Sequence, residues 1–323
     1  MRNDNKSISR REFAKKSASA LAGIPLLHVN NSIFPSLATS EGELEINLFS
    51  KHLQFLDYNE MSAQAAEIGF NGLDVTVRPK GHVLPDNVTN DLPRVVEAMK
   101  KYGLKPQMMT TNVWGILQPN ELNVLQTASQ LGFTHYRTGW LSYPEEKTID
   151  ESMEEFADQA KKLAEVNKQL SLVGCYQNHA GNHVGAPIWD LPPIFAKSDT
   201  NFLGCQYDIR HAIVEGGKSW ELDLRRIRPF IKSLVIKDFK WGLKDGVWQP
   251  INTPLGEGMV DFVHYFSILK KYKIMVPMSL HLEYDLGGAE HGATTIKMDK
   301  KEVFAKMKKD LTFIKEAWKK AEY

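Results

Sequence analysis

The sequence predicts one α/β domain folded as a (β/α)8 (TIM) barrel, and three observations predict it. After residue 40, short apolar runs alternate with longer amphipathic stretches, the pattern of βα units around a parallel sheet. Eight such runs occur, and eight units in about 285 residues suit a closed barrel. A doubly wound open sheet would carry a glycine-rich phosphate loop after its first strand, whereas Phe49-Ser50-Lys51-His52 has no glycine.

In chain order, a strand over 45–49 leads to a helix over 58–68, and a strand over 72–77 to a helix over 92–102. Strands over 105–109 and 134–137 lead to helices over 121–131 and 149–168. A strand over 171–176 precedes another over 203–207, which leads to a helix over 222–230. The last two units are strand 233–237 with helix 262–272, and strand 278–283 with helix 300–321. Residues 65–74, Ala-Ala-Glu-Ile-Gly-Phe-Asn-Gly-Leu-Asp, show the grammar of one unit: helix end, glycine turn, next strand. No internal repeat or low-complexity linker divides residues 39–323, so they read as one domain.

Composition narrows the function classes. The 40 basic and 39 acidic side chains are spread along the chain and nearly cancel, so no electrostatic footprint for nucleic acid or an anionic membrane is visible. Cys175 and Cys205 fall in neighbouring predicted strands; they read as buried thiols, with a disulfide as the alternative in an oxidising compartment. Residues 1–38 read as an address instead of fold. Ser9-Arg10-Arg11-Glu12-Phe13 resembles a twin-arginine export signal, followed by a short apolar stretch from Ala18 to Val29 and a small-x-small site at Ser36-Leu37-Ala38. Ala14 stands where that signal usually carries leucine. The expectation is a periplasmic enzyme whose mature chain starts near Thr39.

Barrels of this class place chemistry at the C-terminal ends of their strands, and ionisable residues concentrate there. Lys51 and His52 follow the first strand, Asp74 and Arg78 lie on or after the second, Trp114 follows the third and Arg137 ends the fourth. Gln177, Asn178 and His179 end the fifth, Asp208 and His211 the sixth, Lys237 and Asp238 the seventh, and His281, Glu283 and Asp285 the eighth. Each has a plain structural alternative. Asp208 suits a helix cap as well as a metal, His211 suits a surface loop, and Lys237 suits an ion pair with a neighbouring carboxylate. His281 and Glu283 are two apart, so they share one strand face, roughly 7 Å apart. A buried Glu facing inward needs a partner or a task.

Several stretches resemble the xylose-isomerase-like barrel superfamily, the sugar phosphate isomerases and epimerases related to endonuclease IV. They are Tyr176-Gln177-Asn178-His179, Asp208-Ile209-Arg210-His211, Ile236-Lys237-Asp238, Pro254-Leu255-Gly256-Glu257-Gly258-Met259-Val260-Asp261-Phe262, and Ser279-Leu280-His281-Leu282-Glu283-Tyr284. The resemblance runs across nearly all of residues 45–320. It implies a divalent ion (manganese, magnesium, cobalt or zinc) held by Glu, Asp, His and Glu after strands five to eight. Asp208 and Glu283 match that pattern, whereas Gln177 and Val235 depart from it. The expected set is therefore rearranged, with Gln177 or His179, Asp208, His281 and Glu283 around the metal, and loss of the metal as the alternative.

The resemblance implies proton abstraction next to a carbonyl, with Glu283, Lys237 and His211 as catalytic candidates. His179, Arg137, Lys51, His52 and Trp114 are the candidates for binding a small carbohydrate; Trp140 and Tyr176 are further stacking candidates. With one of two carboxylate bases missing, the expected reaction is a 1,2-elimination on a 3-keto-glycoside. A keto-sugar isomerase or epimerase, a metal-dependent phosphodiesterase and a non-catalytic carbohydrate-binding barrel are the alternatives. A homo-oligomer is compatible with the sequence.

Overall fold

A computed structural model describes residues 44–115 and 119–323. The leader read over 1–38 lies outside the described residues. Among the described residues, no helix is long and apolar enough to cross a membrane.

The predicted barrel is present. Parallel strands β1 (Ile46–Phe49), β2 (Gly72–Thr76), β3 (Lys105–Thr110), β4 (His135–Arg137), β5 (Val173–Gln177), β6 (Leu203–Asp208) and β7 (Ile231–Ile236) pair in sequence. After β7 the chain makes an antiparallel hairpin, β8 (Asp238–Lys244) and β9 (Val247–Thr253), before the last barrel strand, β10 (Met278–Leu280). β10 pairs with β7 on one side and β1 on the other, closing the barrel. Its pairing stops three residues short of the predicted end, so His281 and Glu283 stand on the chain emerging from the strand. The last tie is the His281 amide, which donates to the Ile236 carbonyl at 3.0 Å.

Helices α1 (Tyr58–Ile68), α2 (Val88–Lys101), α3 (Pro119–Leu131), α4 (Ile149–Leu170), α5 (Leu191–Phe195), α6 (Ile209–Gly216), α7 (Trp220–Ile227), α8 (Phe262–Lys271) and α9 (Lys300–Lys320) connect these strands. Local chemistry sets their ends. Thr148 and Glu151 form a reciprocal capping box at the start of α4, and Asp57, Asp261 and Asp299 cap α1, α8 and α9 with their carboxylates. Gly69, at φ 104°, ends α1 in the left-handed conformation that favours glycine.

Alternation along each strand decides which side chains face the barrel axis. Asp74 accepts hydrogen bonds from Ser279 (2.7 Å) and Thr110 (2.9 Å) across the interior, so Asp74 lies below the mouth, in the packed axis. Residues 279, 281 and 283 share that inward parity, as do Cys175 with Gln177. Cys205 has the opposite parity to Asp208, which faces the site. The two thiols are therefore on opposite faces of the sheet, and both are free and buried.

The hairpin was not predicted, although its signal is present. Asp245 and Gly246 both adopt positive φ, 53° and 78°, as a two-residue primed turn requires. Beneath the hairpin, the buried Asp238 carboxylate gathers the Pro-Leu-Gly-Glu-Gly stretch. It accepts from the amides of Gly256 and Gly258 (3.0 Å each), Val260 (3.1 Å) and Phe239 (2.8 Å). Two of the quoted sequence stretches are thus one physical unit, a carboxylate in a cup of backbone donors directly after Lys237. A Cβ on Gly258 would meet the Asp238 carboxylate oxygen at 2.2 Å and the Phe239 carbonyl at 2.4 Å. Gly258→Ala is expected to destabilise the protein by about 2 kcal/mol or more, read by chemical denaturation; an unchanged midpoint would show that the cup is not tightly packed.

Candidate active site

At the C-terminal mouth the inward positions converge on one ammonium group. Lys237 follows β7 and is 3% exposed, so its charge must be met by protein groups. Its Nζ lies 3.1 Å from Asp208 Oδ2, 3.3 Å from Glu283 Oε2 and 2.8 Å from His211 Nε2. An ammonium has three donors, and three acceptors surround this one.

Asp208 ends β6 and is fully buried. Its Oδ1 accepts from the His211 amide (3.2 Å), capping α6, while Oδ2 accepts from Gln177 Nε2 (2.8 Å) as well as from Lys237. Asn178 fixes the Asp208 backbone from both sides, accepting from its amide at 2.7 Å and donating to its carbonyl at 3.1 Å. Burial pushes the Asp208 carboxyl above its ordinary range, and Lys237 opposes that shift. Of the two readings of Asp208, helix cap and metal ligand, the structure shows the cap, and the second oxygen meets the Lys237 ammonium.

Glu283 is the accessible member, its side chain 25% exposed. Lys51 holds Oε1 at 3.2 Å and Lys237 holds Oε2. Burial would raise this carboxyl, but Lys237 and Lys51 hold it well below the usual range. His281 stacks on Phe49 with ring centroids 4.1 Å apart. Both of its nitrogens lack a hydrogen-bond partner, and Nδ1 is 3.9 Å from Glu283.

Each nitrogen of His211 faces a cation, Arg210 Nη1 at 3.1 Å and Lys237 Nζ at 2.8 Å. Burial and these cations push its pKa well below normal, so the ring is neutral. His179, against His211 at 4.0 Å, comes down to about 4 through burial and Lys237. At the rim, Trp140 carries the Arg137 guanidinium over its ring at 4.4 Å and stacks on His183 at 5.3 Å.

The structure brings together Lys51, Arg137, Gln177, His179, Lys237, His281 and Glu283 around one small cavity, with Asp208 and His211 packed behind Lys237. It does not place Trp114 or His52 there. Trp114 is buried edge-on against Tyr176 (5.4 Å), its indole donating to Gln159 at 2.7 Å. His52 accepts from the Leu282 amide at 3.0 Å and reaches the Ala289 carbonyl at 3.4 Å, fastening the segment that carries His281 and Glu283. Sequence reasoning missed Asn252, whose amide donates to the Glu283 carbonyl (3.2 Å) and accepts from Arg210 (3.1 Å). It sits on the unpredicted hairpin.

The comparisons with known proteins agree with this architecture. The family model described as xylose isomerase-like TIM barrel matches residues 62–306. The chain belongs to that family. Solved structures with the same fold include a D-psicose 3-epimerase from Clostridium cellulolyticum H10, at 12% identity and TM-score 0.62, covering 85% of this chain and 99% of that one. A 3-keto-D-glucoside 4-epimerase from E. coli is 13% identical with TM-score 0.58, covering 85% and 100%. A probable 3-DHS dehydratase from Bacillus anthracis is 14% identical with TM-score 0.56, covering 83% and 99%. No functionally curated protein matches in sequence.

The divalent ion implied by the family resemblance does not fit this donor set. The point between Asp208 and Glu283 is taken by an ammonium. Gln177 turns its NH2 toward Asp208 and its carbonyl oxygen toward Arg137, at 3.3 Å. The flipped amide would set oxygen against carboxylate and NH2 against guanidinium, so its neighbours fix the orientation. Among the described residues, no group of three or more His, Cys, Asp and Glu is placed to hold a metal.

The buried histidines make stability depend on pH. Burial brings His281 down to about 3, with Glu283 opposing, against about 6.5 in an unfolded chain. As pH falls below 6.5 the unfolded state binds a proton that the folded state does not, so stability falls. Asp310, pushed up to about 7 by burial, works in the opposite direction, so the test compares variants. From pH 6.5 to 4.5 the wild type is expected to lose stability relative to His281→Phe, by up to ~1.4 kcal/mol per pH unit. Parallel denaturation curves across that range would show that His281 is not held neutral.

Proposed function

We propose that the protein is a sugar isomerase or epimerase, moving a proton at a carbon next to the carbonyl of a keto-sugar or keto-glycoside. The observation that carries this is Glu283. It is the carboxylate lining the cavity, partly exposed and held between two lysines. A proton acceptor beside fixed positive charge is what enolisation needs. The family and the sugar epimerases that share its fold support the same class.

In this reading Glu283 takes the carbon-bound proton. The C–H electron pair becomes the new C=C bond, and the carbonyl π pair moves onto oxygen. Lys237, Lys51 and Arg137 supply the positive field for that oxygen, and the unpartnered nitrogens of His281 remain available to a sugar hydroxyl. Return of that proton by Glu283 to the neighbouring carbon gives an isomer; an epimer requires a proton delivered to the opposite face of the same carbon by a second group or by water. The cavity holds about 60 Å³, so only the reacting end of a sugar reaches into it, with the rest of the ring at the Trp140 rim.

A second reading, 1,2-elimination on a 3-keto-glycoside, is favoured by one observation: Gln177, hydrogen-bonded on both ends of its amide, stands where a second base would be needed for two-base epimerisation. Export to the periplasm, read from the leader, belongs to the proposal in either form.

The test is incubation with ketoses and 3-keto-glucosides in D₂O. The expected outcome is deuterium at one carbon with a new isomer or epimer, and loss of about 100-fold or more of that rate in Glu283→Gln. Release of the aglycone would select elimination. Exchange unaffected by Glu283→Gln would remove the proposed base.

A further inference from the structure

We infer that the Lys237 ammonium is the resident cation of this barrel, standing where a metal would otherwise bridge Asp208 and Glu283 and presenting an N–H to the substrate's carbonyl oxygen. The second half rests on the proposed function; the first half does not.

Three observations carry it. Lys237 Nζ is within 3.3 Å of one carboxylate from β6 and one from the segment after β10, so a divalent ion at the same point would displace the ammonium into a buried region that offers no other acidic partner in contact with it. Val235, the inward residue below, pairs in register with Asp208 on one side and Ser279 on the other; β7 therefore offers no ligand there, and its next inward residue is the lysine. Gln177 brings an N–H instead of a negative oxygen to Asp208. A neutral amide and one added cation in place of a carboxylate and an imidazole keep the charge of the cluster compatible with two carboxylates and no metal.

The same cluster explains how a fully bonded ammonium has a donor to give. A neutral imidazole has one lone pair, yet both Arg210 and Lys237 point at His211. When Arg210 holds the lone pair, one Lys237 N–H is released. The bond to Glu283, at 3.3 Å, is the longest of the three and the one nearest the cavity. As Glu283 turns to a substrate C–H, Lys237 can turn that donor to the developing enolate oxygen, and no covalent bond to the lysine forms.

The test measures manganese binding by the electron-spin-resonance signal of free Mn²⁺, on wild type, Lys237→Met, Lys237→Ala and Asp208→Asn. The expected result is that wild type leaves the signal as Asp208→Asn does. Whichever of Lys237→Met and Lys237→Ala retains the folded circular-dichroism spectrum is expected to bind Mn²⁺ at least about tenfold more tightly than the background shared by wild type and Asp208→Asn, because two carboxylates then face each other without their ammonium. One firmly held Mn²⁺ in wild type that is lost in Asp208→Asn would overturn the inference, and it is read without any lysine variant. In the D₂O assay the lysine variant is expected to lose exchange without rescue by Mn²⁺; rescue by Mn²⁺ would overturn the electrophilic role. If wild type exchanges nothing, the proposed reaction fails while the binding result still decides the cation.

Discussion

A lysine ammonium with almost no access to water must be surrounded by acceptors, and that requirement organises the mouth of this barrel. Asp208 is fixed by its helix cap and by Asn178, Glu283 is fixed by Lys51, and His211 is kept neutral by burial and by the cations on either side. Each group is costly to bury alone and tolerable in this arrangement. The result is a preorganised patch of positive charge beside one accessible carboxylate.

Position depends on structure further out. The Asp238 cup ties the chain directly after Lys237 to the stretch before α8, and the β8–β9 hairpin brings Asn252 onto the Glu283 backbone. His52, behind the site, holds the peptide between His281 and Glu283. Asp238, Asn252 and His52 do not line the cavity beside Glu283, yet they set the positions on which the proposed chemistry depends. The barrel fold is shared with sugar epimerases, but fold alone does not choose a reaction; in the proposed function the choice falls to Glu283 and the lysines around it.

Much of this was legible in the sequence. Hydrophobic alternation pointed to eight strands and seven of the helices around them, and the rule that barrel chemistry sits at strand ends pointed to Asp208, Lys237, His281 and Glu283. Parity along a strand was enough to put His281 and Glu283 on one face. What was not legible followed from side-chain direction and partner choice. Trp114 and His52 are polar-edged residues at strand ends, as a ligand-binding residue would be, but their hydrogen bonds go to Gln159 and to backbone. The role of Gln177 depended on which end of its amide faces Asp208, which Asp208 and the neighbouring Arg137 decide together. The hairpin escaped because a barrel reading expects a helix after each strand, although Asp245-Gly246 between alternating apolar residues is its ordinary signature.

The most direct test of the account is a crystal structure grown with manganese chloride in excess, examined in an anomalous difference map at the manganese edge. The account predicts no peak between Asp208 and Glu283, and the Lys237 nitrogen within bonding distance of both carboxylates. A manganese peak at that point, with the lysine side chain turned away, would contradict it.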